Sequence, residues 1–398
     1  MKINVAVLFG GKSVEHEVSV ISAVQAMASM NTEKYTIIPV YLTKKNEFFT
    51  GELLKDINAF KDIPALLKQC RQVVFVNRND RVQLVKLETK LMENKVAAEI
   101  DVAFPIVHGT NVEDGALQGY LQTLNLPYVG CDVLSSALGM DKYASKILLR
   151  DGGFPVLDCC RLHVTETADM AACLDKVEQA VPRYPMIVKP VNLGSSVGIS
   201  KVRDRDALEQ ALEHAFLFSE RVIVETAVRN LKEINCSVLG DAEEAEASVC
   251  EEPVQSDDIL SYTDKYGSGS KSGSKSGGSK GMASLKRKIP ADISKETEAK
   301  IQEIAVAAFR HLGCCGVSRI DFLMDTATNE IWINEFNTIP GSLAFYLWEP
   351  KGVSYTTLLD RMLALALKRQ RKNAEIHYSF DTNILSMGGS FGSKGAKR

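Results

Sequence analysis

Four residues on two apolar segments near the C-terminal end carry the strongest chemical signal in this 398-residue chain. Side chains two apart on a strand share a face. Arg319-Ile320-Asp321 therefore sets a guanidinium beside a carboxylate, and Glu335-Phe336-Asn337 sets a carboxylate beside an amide. If the two strands are neighbours, Asp321, Glu335 and Asn337 form a cluster of oxygen donors flanked by Arg319. Oxygen donors with no nearby Cys or His pair select magnesium or manganese over zinc. Magnesium with few protein ligands completes its shell with phosphate oxygens, which implies a nucleotide. The competing reading is a surface salt bridge followed by an asparagine turn. Thr338-Ile339-Pro340-Gly341 comes next, and the N–H of Gly341 beside Arg319 is a suitable donor to developing oxyanion charge.

Two lysines extend the phosphate argument. Lys142 opens a predicted helix after Met140-Asp141, and Lys189 lies in the apolar strand Val188-Lys189-Pro190. A lysine in a strand buried on both faces is costly unless an anion pairs with it, and phosphate is an obvious candidate. The turn Gly194-Ser195-Ser196-Val197-Gly198 suits a flap over phosphates, although a plain hairpin turn reads the same way. Gly11-Lys12-Ser13 is no P-loop, because Ala6 stands where the first glycine belongs. No G-x-G-x-x-G follows the first strand, which disfavours a nicotinamide dehydrogenase. His108 ends a buried strand; a lone histidine is more often structural, yet strand C-termini in α/β units are where ligands bind.

These groups need elements to hold them. Asn4 to Phe9 reads as a buried parallel strand, Glu17 to Met30 as a helix and Tyr35 to Leu42 as a second strand, a βαβ start. Short strands follow near Val73–Val76 and Gln83–Leu87, then a buried strand from Asp101 to Val107 and a helix from Ala116 to Leu124. A hairpin from Met186 to Val202, a strand Val222–Glu225, a helix Ser294–Leu312 and the two strands already named complete the reading. Gly267 to Gly281 contains only Gly, Ser and Lys and reads as a flexible loop.

Composition sets outer bounds. With 47 basic and 50 acidic residues the formal charge is −3, so no whole-protein field favours nucleic acid or an anionic membrane. The nine cysteines show no C-x-x-C, and Cys159-Cys160 and Cys314-Cys315 read as reduced core thiols of a cytoplasmic protein. No window approaches a membrane span.

In chain order, Gly10-Gly11-Lys12-Ser13-Val14-Glu15-His16-Glu17-Val18-Ser19, the His108 to Gly115 loop with Gln118-Gly119, Ser136-Ala137 with Met140-Asp141-Lys142, Gly194 to Gly198, Lys265-Tyr266, and Glu335-x-Asn337-Thr338-x-Pro340-Gly341 resemble the signatures of the D-alanine-D-alanine ligases of the ATP-grasp superfamily. The likeness runs from residue 3 to about 365. It implies an α/β and α+β multidomain chain: an ATP-grasp fold with an N-terminal Rossmann-like domain. That domain, residues 1–130, would bind the first substrate; 131–228 and 229–371 would be the central and C-terminal ATP-grasp subdomains, with a mobile lid at 262–282 and a disordered tail at 372–398.

The implied reaction phosphorylates one D-alanine on its carboxylate, and the amine of a second attacks the acyl phosphate. Lys142 and Lys189 would contact the phosphates of ATP, with Ser196 and Lys265 completing the nucleotide set. Glu225 and Val228 would meet the adenine and Glu233 the ribose, while Asp321, Glu335 and Asn337 would hold two Mg2+ (or Mn2+) ions. Arg319 and Gly341 would stabilise the tetrahedral intermediate. Glu15 would take the first ammonium, in a hydrogen-bonded chain with Ser195 and Tyr266. His108, Ser342, Tyr346 and Leu347 would line the amino-acid sites. Small-molecule substrates and a homodimer are expected, with neither nucleic acid nor membrane as partner.

Three positions depart from the family pattern. Val112 stands where glycine is usual, and Glu225 to Glu233 is one residue longer than usual. Tyr346 occupies the place of a serine that meets the second substrate's carboxylate, which leaves open a D-serine or other acceptor, or a different loop path with Ser342 substituting. Tyr266 favours an amine acceptor over a hydroxy acid. A non-catalytic ATP-binding sensor is the reading from another class; retention of Arg319, Asp321, Glu335 and Asn337 together argues against it.

Overall fold

The computed structural model describes residues 2–89, 92–194, 197–253 and 287–378. Three sheets order these residues. The first contains β1 (Ile3–Gly10), β2 (Tyr35–Leu42), β3 (Phe48–Thr50), β4 (Arg71–Arg78), β5 (Arg81–Lys86), β6 (Val96–Ile100) and β7 (Val102–Pro105), in the order β6-β5-β4-β3-β2-β1-β7. Strand β1 runs parallel to β2 and β7, and Val5 to Phe9 are fully buried, as a central strand covered on both faces requires. Around this sheet lie α1 (His16–Ser29), α2 (Ile63–Gln69) and α3 (Ala116–Thr123).

Only part of this sheet follows the expected doubly wound pattern. Strands β3 to β6 join by antiparallel pairing. Asn79 and Asp80, both at positive φ, close the β4–β5 hairpin in the two-residue turn that such residues favour.

Two helices, α4 (Val133–Met140) and α5 (Lys142–Asp151), lead to the second sheet. It consists of β8 (Cys159–His163), β9 (Met186–Pro190), β10 (Ser200–Val202) and β11 (Arg221–Thr226), antiparallel throughout in the order β10-β9-β11-β8. Helices α6 (Met170–Ala180) and α7 (Arg205–Phe216) contribute Leu174, Val177, Leu208 and Leu212 to its core. The third sheet holds β12 (Leu231–Gly240), β13 (Ala245–Pro253), β14 (Arg287–Lys288), β15 (Gly316–Asp325) and β16 (Ile331–Asn337), ordered β14-β13-β12-β15-β16. Helix α8 (Lys295–His311) packs Ile301, Ala305, Ala308 and Phe309 into that sheet's core, and the Ser294 hydroxyl caps its N-terminus.

The last helix, α9 (Tyr355–Asn373), does not stay with the third sheet. Its apolar stripe, Leu358, Leu359, Met362, Leu363 and Ala366, joins the core that contains Val5 to Phe9 and Val102 to Phe104. The segment read from sequence as the end of a C-terminal unit thus completes the first core. The tail expected from residue 372 begins inside this helix, and its residues 379–398, like the lid at 262–282, lie outside the described residues. Among the described residues no helix is long and apolar enough to cross a membrane.

Candidate active site

A cavity of about 140 Å³ opens between the second and third sheets. Its apolar side presents Leu157, Ile187, Ile199 and Leu323; its polar end gathers Lys142, Lys189, Asp321 and Glu335. An apolar side continuing into a cluster of cations and carboxylates fits a nucleotide better than a uniformly apolar ligand. Val228 and Glu233 line the same cavity on the chain leaving β11.

Pairing of β15 with β16 assembles the oxygen cluster. Arg319 stands opposite Asn337 and Asp321 opposite Glu335, with a bulge immediately after Asp321. Arg319 forks onto Asp321, Nε to Oδ1 and Nη2 to Oδ2, both at 2.7 Å. The Asn337 amide donates to Asp321 Oδ2 at 3.1 Å. Burial, reinforced by the charge of Glu335, pushes the Asp321 carboxyl up from its ordinary value even against the pull of Arg319. Two facing carboxylates with an amide beside them are hard oxygen donors of the kind a magnesium ion takes. No group of three or more His, Cys, Asp or Glu forms a cation cage among the described residues. Asp321, Glu335 and Asn337 offer a few oxygen donors, a set that fits magnesium sharing its shell with phosphate oxygens and water. Gly341 opens the turn four residues beyond Asn337.

Each predicted phosphate lysine has a protein anion beside it. Lys142 donates to the Leu193 carbonyl at 2.7 Å and lies 3.2 Å from Glu335. Lys189 donates to Asn334 Oδ1 at 2.9 Å and contacts Glu225 at 2.5 Å. Glu225, expected at the adenine, lines the cavity but is only 1% exposed, and its carboxylate bridges Lys189 and Lys146, the latter at 2.8 Å. Despite burial, the two ammonium groups pull its pKa down to about 2. Lys146 escaped the sequence reading. Its one signal was the i, i+4 spacing from Lys142 on an amphipathic helix.

The wall facing this cluster comes from the first sheet. The Glu15 carboxylate sits where two glycine turns converge: a β-carbon on Gly109 would come within 3.1 Å of its Oε2, and one on Gly194 within 2.9 Å. Ser195 and Ser196, next in that second turn, lie outside the described residues, as do Lys265 and Tyr266.

His108, expected against substrate, uses both ring nitrogens on protein. Nδ1 lies 2.8 Å from the Ile339 carbonyl, which can only accept, so Nε2 is left to accept from the Ser22 hydroxyl at 3.1 Å. Burial holds the ring's pKa below the usual histidine value. Its place is that of a bracket between β7, α1 and the turn after β16.

Glu113, given no role by the sequence, makes the same junction from the other side. Its carboxylate accepts from Gly109 N–H at 2.9 Å, Ile339 N–H at 2.8 Å and the Thr338 hydroxyl at 3.2 Å. Burial, against the two N–H donors and with the charge of Glu15, pushes its pKa up to about 8. A folded-state value above the unfolded one means that this group's contribution to stability is complete below about 4.5 and is lost as pH rises through about 8; each pH step of one between those values removes about 1.4 kcal/mol. Thermal denaturation from pH 5 to 9 is expected to show a falling melting temperature, with Glu113→Gln flattening the slope. An unchanged slope in that variant would remove Glu113 from the account.

The turn after Pro340 takes an unexpected path. Ser342, Leu343 and Ala344 all adopt left-handed conformations, φ 51°, 53° and 49°. Each costs an L-residue about 1–2 kcal/mol. Ser342 N–H donates to Ser22, its hydroxyl donates to Gln25, and Leu343 and Ala344 are buried in the first core. This path buries three residues assigned to the amino-acid sites. Ser342 is fully buried against α1, and Leu347 is fully buried in the core. Tyr346 turns its hydroxyl to Glu251 at 3.4 Å while the Arg287 guanidinium covers its ring at 4.1 Å.

Two antiparallel-containing sheets facing each other across a nucleotide-sized cavity, preceded by a parallel-cored domain, define the ATP-grasp class. Residues 4–131 match the D-ala D-ala ligase N-terminus and residues 148–364 the D-ala D-ala ligase C-terminus. The chain is 37% identical to a D-alanine–D-alanine ligase of Thermosipho melanesiensis, over 97% of this chain and 99% of that one. Against the corresponding protein of Caldicellulosiruptor bescii it is 38% identical, with 95% and 99% covered. Among solved structures, the D-alanine-D-alanine ligase of Coxiella burnetii superimposes with a TM-score of 0.77 at 29% identity, covering 94% of this chain and 96% of that one. The VanG D-Ala:D-Ser ligase of Enterococcus faecalis does so at 0.74 and 34%, covering 92% and 100%. This chain belongs to the D-alanine-D-alanine ligase family.

Proposed function

We propose that the protein joins two D-alanines at the expense of ATP, releasing ADP and phosphate and supplying D-alanyl-D-alanine for peptidoglycan precursors. The observation that carries this reading is the register of β15 and β16, which sets Arg319, Asp321, Glu335 and Asn337 on one face, with Asp321 and Glu335 lining the cavity beside Lys142 and Lys189. A pure nucleotide sensor has no use for the guanidinium beyond the metal-binding carboxylates.

In this reading the second and third sheets hold ATP, with Lys142 and Lys189 at its phosphates and the backbone around Val228 at the base. Glu15 receives the ammonium of the first D-alanine and so orients its carboxylate toward the γ-phosphorus. Attack by a carboxylate oxygen expels ADP and leaves an acyl phosphate. The second amine then attacks the acyl carbon, and phosphate departs. Arg319 and the Gly341 N–H would stabilise the oxyanion of that tetrahedral species. Ser195 and Tyr266 would carry the amine's proton away. Magnesium, two ions in this reading, would be held by Asp321, Glu335 and Asn337 and would neutralise phosphate charge. The lid at 262–282 would shield the acyl phosphate from water. A cytoplasmic homodimer is the state in which this chemistry is expected.

A D-serine acceptor was suggested by Tyr346, but that side chain is buried with its hydroxyl directed to Glu251, so it gives the acceptor pocket no new donor. The deciding experiment incubates the purified protein with ATP, Mg2+ and a panel of D-amino acids, reading phosphate release and product mass. D-alanyl-D-alanine is the expected main product. Phosphate release only with a different second amino acid would overturn the assignment, and no release with any would favour the sensor.

A further inference from the structure

Behind the cavity, the Lys146–Glu225–Lys189 group does not balance: two ammonium groups share one carboxylate. Lys146 is 1% exposed and takes no part in lining the cavity, whereas Lys189 lines it. Glu225 Oε1 faces Lys146 at 2.8 Å and Oε2 faces Lys189 at 2.5 Å, so each oxygen is committed to a different cation. Lys189 also donates to Asn334, whose chain neighbour Glu335 belongs to the oxygen cluster.

We propose that Lys146 is a positioning residue for nucleotide phosphate: by holding one oxygen of Glu225 it prevents that carboxylate from neutralising Lys189, which keeps positive charge to offer ATP. The inference rests on Lys189 being a phosphate ligand, as read above. Counting formal charges, the group carries +1 with all three side chains, 0 without Lys146, and +1 again when Lys146 and Glu225 are both neutral. A buried strut of purely structural value gives a different pattern, in which the second substitution adds to the damage of the first.

Calorimetric titration of ATP with Mg2+, in the absence of amino acid, separates the two. Lys146→Met is expected to weaken ATP binding about tenfold or more, since one charge-assisted contact is forfeited. Lys146→Met with Glu225→Gln is expected to return affinity to within about threefold of wild type. In turnover the single variant should raise the KM for ATP and leave the KM for D-alanine unchanged. Should Lys146→Met fail to fold, Lys146→Gln, alone and with Glu225→Gln, makes the same comparison. Lys189→Met serves as the control: wild-type ATP affinity there would overturn the phosphate reading of Lys189 itself. With Lys189→Met weakened as expected, wild-type affinity in the folded Lys146 variant, or a double variant no better than the single one, would overturn the proposal alone.

Discussion

Arg319→Met is expected to lower kcat by about a thousandfold, the scale seen when one preorganised donor to a developing oxyanion is removed. Arg319 is largely buried, its side chain 14% exposed, and forks onto Asp321 through two 2.7 Å hydrogen bonds. Burial opposes its charge, yet Asp321 keeps its pKa well above the ordinary arginine value, so the guanidinium is permanently cationic where charge must be met. Lysine restores the charge but not the planar fork, and Arg319→Lys is expected to recover little. The measurement is phosphate release at saturating ATP and D-alanine, beside a melting curve, because the substitution also leaves the buried Asp321 unpaired. A folded Arg319→Met enzyme within tenfold of wild type would remove Arg319 from the chemical step.

The second large effect belongs to Glu335→Gln. This change keeps side-chain shape and withdraws one of the two carboxylates that face each other across β15 and β16. It also weakens the contact with Lys142 at 3.2 Å. Turnover should fall about a thousandfold or more at fixed Mg2+, and the residual rate should respond to higher Mg2+ than wild type needs. The fold should be retained, because removing a like charge relieves Asp321, whose carboxyl Glu335 helps to push up. Wild-type turnover in this variant would refute the metal assignment.

Much of the framework was legible because it rests on short-range patterns. The second strand, Tyr35–Leu42, and the β9 strand, Met186–Pro190, fall where their apolar runs lie. The i, i+2 rule found both halves of the oxygen cluster, since only the pairing of β15 with β16 had to be supplied. Residues 43–99 were opaque for the opposite reason: β3 is three residues long, and nothing in Phe48–Thr50 states that it pairs with both β2 and β4. The pairing of Glu225 with Lys146 was out of reach because the two lie 79 positions apart, a distance in sequence that no local pattern spans. Tyr346 was placed by counting from Gly341, and no local pattern announces the three consecutive left-handed residues that precede its buried position.

The return of α9 to the first sheet bears on the order in which the protein is made. Strand β1 is translated well before α9: the surface it shares with Leu358, Leu359, Met362 and Leu363 waits for some 350 further residues to be synthesised. Contacts that distant are slow to close. The nascent N-terminal sheet therefore carries an uncovered apolar face throughout translation, the condition under which chains aggregate or recruit chaperones. Domains are usually finished in the order they are translated; here a sheet begun before the other two is sealed by a helix made after them.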